Sequence, residues 1–320
     1  MIKILVTGGL GFIGSNFILF FLKNNSKIKI TNVDACLTGS NQKNITELKN
    51  SKQYKFVKAN IKNQKIINKL VAENDLVINF AAESHVDRSI SNPKPFLDSN
   101  INGTFTILEA IRKYDKKLVQ ISTDEVYGSL EKKSADENFT LNPSSPYSSS
   151  KASADLLVKS YYATYGCDVK ITRCTNNYGP RQFPEKLIPK VIINAINNKQ
   201  IPVYGNGKNI RDWLYVIDHC RAIQKVIEKG KSGEIYNIAG RNEINNNIII
   251  KMILKSMNKP FSLMKYVKDR PGHDFRYSLD STKIEKKLKW KPKYNFENGI
   301  KETILWYVNN KSWWKRLSNV

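Results

Sequence analysis

The chain is poor in the residues that announce a metal site or a disulfide framework. Its 320 residues include only four cysteines, Cys36, Cys167, Cys174 and Cys220, which lie far apart without a Cys-x-x-Cys pair. The three histidines, His85, His219 and His273, are equally dispersed. No metal site is therefore expected, and reduced thiols in a cytoplasmic setting are. No apolar run approaches the roughly 20 residues of a membrane span. Met1–Val6 passes straight into a strand pattern, which leaves no room for a signal peptide. Without a secretory route, the glycosylation patterns that begin at Asn44, Asn102 and Asn138 read as chance. Acid is scarce relative to base, with 28 Asp and Glu against 52 Lys and Arg and a net charge of +24. Such a balance ordinarily suggests nucleic acid. Here the lysines are scattered beside many asparagines and isoleucines, with no dense basic run, so neither nucleic acid nor membrane is expected as a partner. A positive field that draws in anionic substrates is. Internal repeats and low-complexity segments are also missing.

What remains is an ordinary globular composition, 41% hydrophobic and 25% charged, long enough for two domains. Ile2–Val6 is a short apolar run followed by Thr7-Gly8-Gly9-Leu10-Gly11-Phe12-Ile13-Gly14-Ser15 and then a helical pattern. Gly8 permits a tight turn, Gly11 lets the backbone approach a pyrophosphate, and Gly14 allows close helix packing. The next apolar strand, Ile28–Val33, ends at Asp34, where a carboxylate accepts ribose hydroxyls and repels a 2′-phosphate, so NAD is favoured over NADP. Strands Tyr54–Lys58, Leu76–Phe80, Lys117–Ile121 and Asp168–Cys174 alternate with helices Gln64–Glu73, Pro95–Tyr114 and Ser150–Tyr165. This alternation predicts a Rossmann-type, doubly wound parallel sheet. Ligands bind at the carboxyl edge of such sheets, where Gly8–Gly14, Asp34, Asn60, Ala81–Ser84 and Thr123–Glu125 all fall.

The chemistry is concentrated between Ser122 and Lys151. Tyr147 and Lys151 are four apart on a helical pattern and project from one face. A phenol of pKa about 10 must drop about three units, or about 4 kcal/mol, to act as a base near neutrality. One ammonium about 4 Å away at an effective dielectric of about 20 supplies that much. Asp124 and Glu125 add two carboxylates where a strand stops. Strand neighbours point to opposite faces, so both meet one substrate only if the backbone turns there.

After Cys174 the character changes. Asn176–Pro189 is rich in turn formers and marks the passage from a cofactor-binding domain, 1–175, to a smaller C-terminal α/β substrate-binding domain, 176–320. The helix and strand near 216–238 are expected to return to the first sheet. Further helices are expected at Pro189–Asn198, Asn246–Met257, Ser281–Leu288 and Phe296–Val308. Arg211 and Arg270 are natural clamps for a diphosphate.

With these residues in view, the chain resembles the extended short-chain dehydrogenase/reductases and, within them, the nucleotide-sugar 4,6-dehydratases. The resemblance runs from Thr7–Ser15 through Ala81–Ser89, Ser122–Gly128, Tyr147–Lys151, Asn176–Pro189 and Arg211–Val216 to Asp269–Asp274. Asp124-Glu125 is its most specific part, because sugar epimerases of the superfamily carry small residues there. The resemblance implies NAD-dependent dehydration of a nucleotide-activated glucose, dTDP-glucose or alternatively UDP-glucose, to the 4-keto-6-deoxy sugar. It implies that Tyr147, Lys151 and Thr123 serve the C4 oxidation and that Glu125 and Asp124 serve the loss of water. Phe12, Ile13, Ile61, Ala81, Ala82, Ser84, Ser99 and Asn176 would line the NAD site. Ser84, Thr123, Asn177, Lys186, Leu187, Pro202, Tyr204, Arg211, Asn246, Arg270 and His273 would hold the sugar nucleotide. A homodimer through a four-helix bundle, from Pro95–Tyr114 and Ser150–Tyr165, is also implied. The chain departs from the family pattern at Asn60, where an aspartate is usual, and in Ala35–Asn41, which lacks a common tyrosine. A 4-epimerase, or a basic scaffold or nucleic-acid protein that keeps a dinucleotide fold, are the competing readings.

Overall fold

A computed structural model describes residues 1–269 and 271–317. Seven strands form one parallel sheet: β1 (Ile2–Thr7), β2 (Ile28–Asp34), β3 (Tyr54–Lys58), β4 (Leu76–Asn79), β5 (Lys117–Thr123), β6 (Val169–Cys174) and, much later, β10 (Ile235–Ile238). Their order is β10-β6-β5-β4-β1-β2-β3, the dinucleotide-binding order with one strand added beside β6. Every residue of β4 and β6 is buried, as both faces of a helix-covered parallel sheet require. One face packs on Phe17, Phe21, Cys220, Ile223 and Val226 of helices Phe12–Asn24 and Val216–Lys229. The other packs on Ile67, Val71, Ile107, Ile111 and Val158 of helices Gln64–Ala72, Gly103–Tyr114 and Pro146–Tyr165.

The remaining strands are short. β7 (Asn176–Tyr178), β9 (Ile210–Tyr215) and β11 (Glu243–Asn245) form a three-stranded sheet, and β8 (Ile201–Tyr204) pairs with β12 (Met264–Val267). They surround a second core of Ile188, Ile192, Trp213, Ile253, Tyr307, Trp313 and Trp314. No described helix is long and apolar enough to cross a membrane, and all four cysteines are free thiols.

Two helices differ from the expected spans for identifiable reasons. The helix expected from Ser150 starts at Pro146, because Ser145 and Ser148 close a capping box and proline is accepted in the first turn. The helix expected over Pro95–Tyr114 is interrupted by a π-helical turn, Leu97–Asn102. Inside that turn the buried Asn100 exchanges hydrogen bonds with Glu83 N–H at 2.9 Å and Glu83 C=O at 3.0 Å and donates to Ser150 Oγ at 2.8 Å. Such widened turns recur at functional sites. A short helix, Val86–Ser91, was not expected at all.

Candidate active site

The carboxyl edge of the parallel sheet opens into one cleft, whose wall begins at the glycine turn. Gly8 has φ +69°, and a Cβ there would lie 2.6 Å from the Ala81 backbone. A Cβ on Gly14 would lie 2.6 Å from Gly8 O. The helix that follows, Phe12–Asn24, has no side-chain cap at Gly11, so its first N–H groups are available for an anion. Asp34 accepts Leu10 N–H at 3.0 Å and Cys36 N–H at 2.8 Å, while burial pushes its carboxyl upward. Asn60 already accepts Lys62 N–H at 2.9 Å through its side-chain oxygen, which leaves one lone pair and the amide hydrogens for a ligand. Gly8, Gly11, Phe12, Ile13, Gly14, Asp34, Asn60, Ile61, Ala81, Ala82, Ser84, Ser99 and Asn176 all line this cleft. A cradle that extra methyls would fill, an uncapped helix end and a ribose-type carboxylate fit a dinucleotide.

The same cleft is lined further along by Thr123, Asp124, Glu125, Tyr147 and Lys151. The backbone turn that two adjacent carboxylates need is present: β5 ends at Thr123 and Asp124–Tyr127 forms a 3-10 turn. The Thr123 hydroxyl caps it, accepting Glu125 N–H at 3.3 Å and donating to Asp124 Oδ1 at 3.1 Å. Asp124 is 3% exposed and its Oδ2 has no hydrogen-bond partner. Burial, and then the Glu125 charge, hold its carboxyl well above the usual range. Tyr147 is likewise held well above the ordinary phenol value, by burial and then by Glu125.

Lys151, expected to act on the phenol as a nearby charge, lies buried on the same helix as Tyr147. Its ammonium donates to Ile121 C=O at 2.7 Å, and burial lowers its own pKa. Beneath the turn, Arg173 Nε donates to Asp155 at 2.8 Å and its NH1 donates to the Tyr127 hydroxyl at 2.8 Å. The Tyr127 hydroxyl in turn donates to Asn237 at 3.0 Å. Turn, helix Pro146–Tyr165, β6 and β10 are thereby locked together.

Of the residues expected to hold a sugar nucleotide, Ser84, Thr123, Asn177 and Lys186 line the cleft. Lys186 also donates to Ser84 C=O at 2.8 Å. Leu187, Pro202, Tyr204, Arg211, Asn246 and His273 do not line it. Two of these are tied to one neighbouring loop. Arg211 donates to Asp274 C=O at 2.9 Å and Phe275 C=O at 3.2 Å and lies 4.4 Å over the Tyr277 ring. His273 bonds Asp269 at 2.6 Å. Arg270 lies outside the described residues. The Arg211 charge opposes the burial that raises Asp124, and the Glu125 charge adds to the burial that raises Tyr277. Asn100, Cys174, Gln182, Phe183 and Glu185 were not anticipated. Asn100 carries the one usable signal, an asparagine on the buried face of a helical pattern, while Cys174 reads simply as the end of a strand. Cys174, Gln182, Phe183 and Glu185 line the cleft, and Asn100 braces it from behind.

Comparison with known proteins now decides the family. Residues 5–303 match the model of the GDP-mannose 4,6 dehydratase family. The chain belongs to this 4,6-dehydratase family. A dTDP-glucose 4,6-dehydratase of Escherichia coli is 46% identical, with 98% of this chain and 96% of that protein covered. Among solved structures, the dTDP-glucose 4,6-dehydratase of Streptomyces venezuelae with NAD bound gives a TM-score of 0.97 at 40% identity, covering 99% and 100% of the two chains. The Bacillus anthracis enzyme in complex with NAD gives 0.93 at 47% identity, covering 99% and 100%. The 4,6-dehydratase family thus accounts for both the sheet and the short-stranded region after it.

Proposed function

We propose that this chain is an NAD-dependent dTDP-glucose 4,6-dehydratase, converting the sugar nucleotide to its 4-keto-6-deoxy product. The observation that carries the reading is the capped turn that brings Asp124 and Glu125 to the cleft lined by Tyr147. NAD, held by the glycine turn and Asp34, would supply the hydride acceptor at C4 and the hydride returned to C6. Against the burial that raises its phenol, Tyr147 is drawn to the phenolate by Lys151 and Thr123 and in that form receives the C4 hydroxyl proton. Lys151 anchors the phenol's helix to β5. Glu125 removes the C5 proton that the new ketone has acidified. Asp124, kept neutral by burial and by its neighbour's charge, gives its proton to the departing C6 hydroxyl. The two acids divide the work because their environments separate their protonation states.

Residues 1–175, with Val216–Ile238, serve the cofactor and the rest of 176–320 serves the nucleotide. Leu187, Pro202, Tyr204, Arg211, Asn246, Arg270 and His273 act with the cleft residues on the nucleotide diphosphate. The enzyme works as a cytoplasmic homodimer. In support, Phe105, Leu156, Tyr162 and Tyr165 expose large apolar surface on helices Gly103–Tyr114 and Pro146–Tyr165, more than a lone chain has reason to present on adjoining helices. Incubation with dTDP-glucose and, separately, UDP-glucose tests the reading. A product lighter by one water, formed faster from the thymidine nucleotide, supports it. An isomer of unchanged mass would instead make the chain an epimerase.

A further inference from the structure

We infer that Asn44, together with Trp313 near the C-terminus, is a clasp that keeps the cofactor loop shut and sets how long NAD stays bound. The inference rests on the NAD reading above. Its centre is the Leu10 residue, between Gly9 and Gly11. Leu10 N–H donates to the ribose-side carboxylate of Asp34 at 3.0 Å. Leu10 C=O accepts Asn41 N–H at 3.0 Å and the Asn44 amide at 2.8 Å. One residue of the pyrophosphate turn is therefore held by Asp34 on one side and by the 41–48 segment on the other.

Asn44 is 2% exposed, and each of its remaining acceptors is engaged from a distant part of the chain. Its side-chain oxygen accepts Trp313 Nε1–H at 2.8 Å, and its backbone C=O accepts Arg181 Nε–H at 3.1 Å. Arg181 also reaches Glu47 at 3.0 Å, gripping the same 3-10 helix, Gln42–Leu48, a second time. This side chain, read from the sequence as a chance glycosylation pattern, is sealed inside the molecule.

Between the two fixed ends, Asp34 and Asn41, runs the segment whose Ala35, Leu37, Thr38, Gly39 and Ser40 line the cleft. Gly39, at φ +91° with nothing within 4 Å of the point a Cβ would occupy, gives the segment a pivot. For the adenosine end of a dinucleotide to leave, this segment must swing. A swing pulls on Asn41, whose N–H shares the Leu10 C=O with the Asn44 amide, and so loads the Asn44 bonds to Leu10, Trp313 and Arg181. A cofactor that ends the cycle in the state in which it began has no need to leave, and the clasp gives that requirement a structural cause.

The test uses the full chain loaded with radiolabelled NAD and chased with unlabelled NAD, beside Asn44→Ala and Trp313→Phe. Trp313→Phe keeps an aromatic ring in the second core while removing the N–H and the rest of the five-membered ring, a milder change that reports even where Asn44→Ala fails to fold. Each folded variant should release label about tenfold faster, the factor given by about 1.4 kcal/mol for one buried hydrogen bond. Trp313→Phe should keep the wild-type KM for the sugar nucleotide at saturating NAD and should release label faster than Ile253→Val, which trims the same second core outside the Asn44 hydrogen bonds. Release at the wild-type rate from folded Trp313→Phe overturns the clasp and leaves the NAD reading standing. Faster release that only tracks a fallen melting temperature also overturns it. A wild-type chain that retains no label overturns both.

Discussion

The two sides of the cleft are held by different means. On the cofactor side, Gly8, Asp34 and Thr123 sit at the ends of parallel strands whose backbone groups are paired in one ladder. On the far side, strands of three to six residues depend on single buried side chains. Asp212 accepts Gly240 N–H at 2.8 Å and Asn242 N–H at 2.6 Å, and Asp218, reaching across from the sheet-side helix Val216–Lys229, accepts Lys293 and Tyr294 N–H, each at 2.8 Å. His219 meets Asn177 at 2.9 Å. A ladder spreads a local loss over many bonds, whereas a single side chain concentrates it. Under the proposed function the sheet would hold chemistry in register and the far side would shape itself around a nucleotide. Damage on the first should be felt in turnover, and damage on the second in substrate affinity.

The largest effect expected is at Tyr147. Tyr147→Phe should lower kcat by about 10²–10⁴-fold without weakening nucleotide binding, and single-turnover reduction of bound NAD is the readout. Glu125→Gln should stop the water loss while NAD remains bound. Unimpaired turnover in either would break the assignment of chemistry to the sheet side. Next comes Arg173→Met, which strands Asp155 in the core. Loss of one partner of a buried pair costs about 3–5 kcal/mol, to be seen in urea unfolding.

His219, on the sheet-side helix Val216–Lys229, tests its contact with the far side through pH. Burial lowers its pKa to about 3, against about 6.5 when unfolded. Above pH 6.5 both states are neutral and stability is complete. Below it, the unfolded chain takes up a proton that the folded one refuses, so stability should fall by about 1.4 kcal/mol per pH unit down to about pH 3. Comparison of the pH slopes of wild type and His219→Gln in urea isolates this group, and equal slopes would remove it. The smallest effect is at Arg211→Lys, which gives up the carbonyl bonds to the 274–275 loop. KM for the sugar nucleotide should rise about tenfold, as for one lost bond of about 1.4 kcal/mol, with kcat nearly unmoved. A fall confined to kcat would erase the distinction between the sides.

The same contrast governs what could be read before the structure. The sheet strands repeat an apolar run and a helix, and β10 falls on the expected residues, Ile235–Ile238. The π turn at Leu97–Asn102 escaped because periodicity runs through it unbroken. β8 and β12 pair across a long stretch of chain, and β7 is Asn176-Asn177-Tyr178, so neither alternation nor composition marks them. Spacing placed Tyr147 and Lys151 on one face but could not tell that the ammonium turns to Ile121. Motif matching found the glycine turn, and could not find Asn44, whose partners come from three other parts of the fold.

The Thr123 hydroxyl has a kinetic consequence. It caps the turn, touches Asp124 and lines the same cleft as Tyr147, yet it has one hydrogen to give. Whichever neighbour ionises first claims that hydrogen and raises the cost of ionising the next. The limbs of a pH–rate curve would then report macroscopic constants of the trio, and replacing any one member should displace both limbs at once.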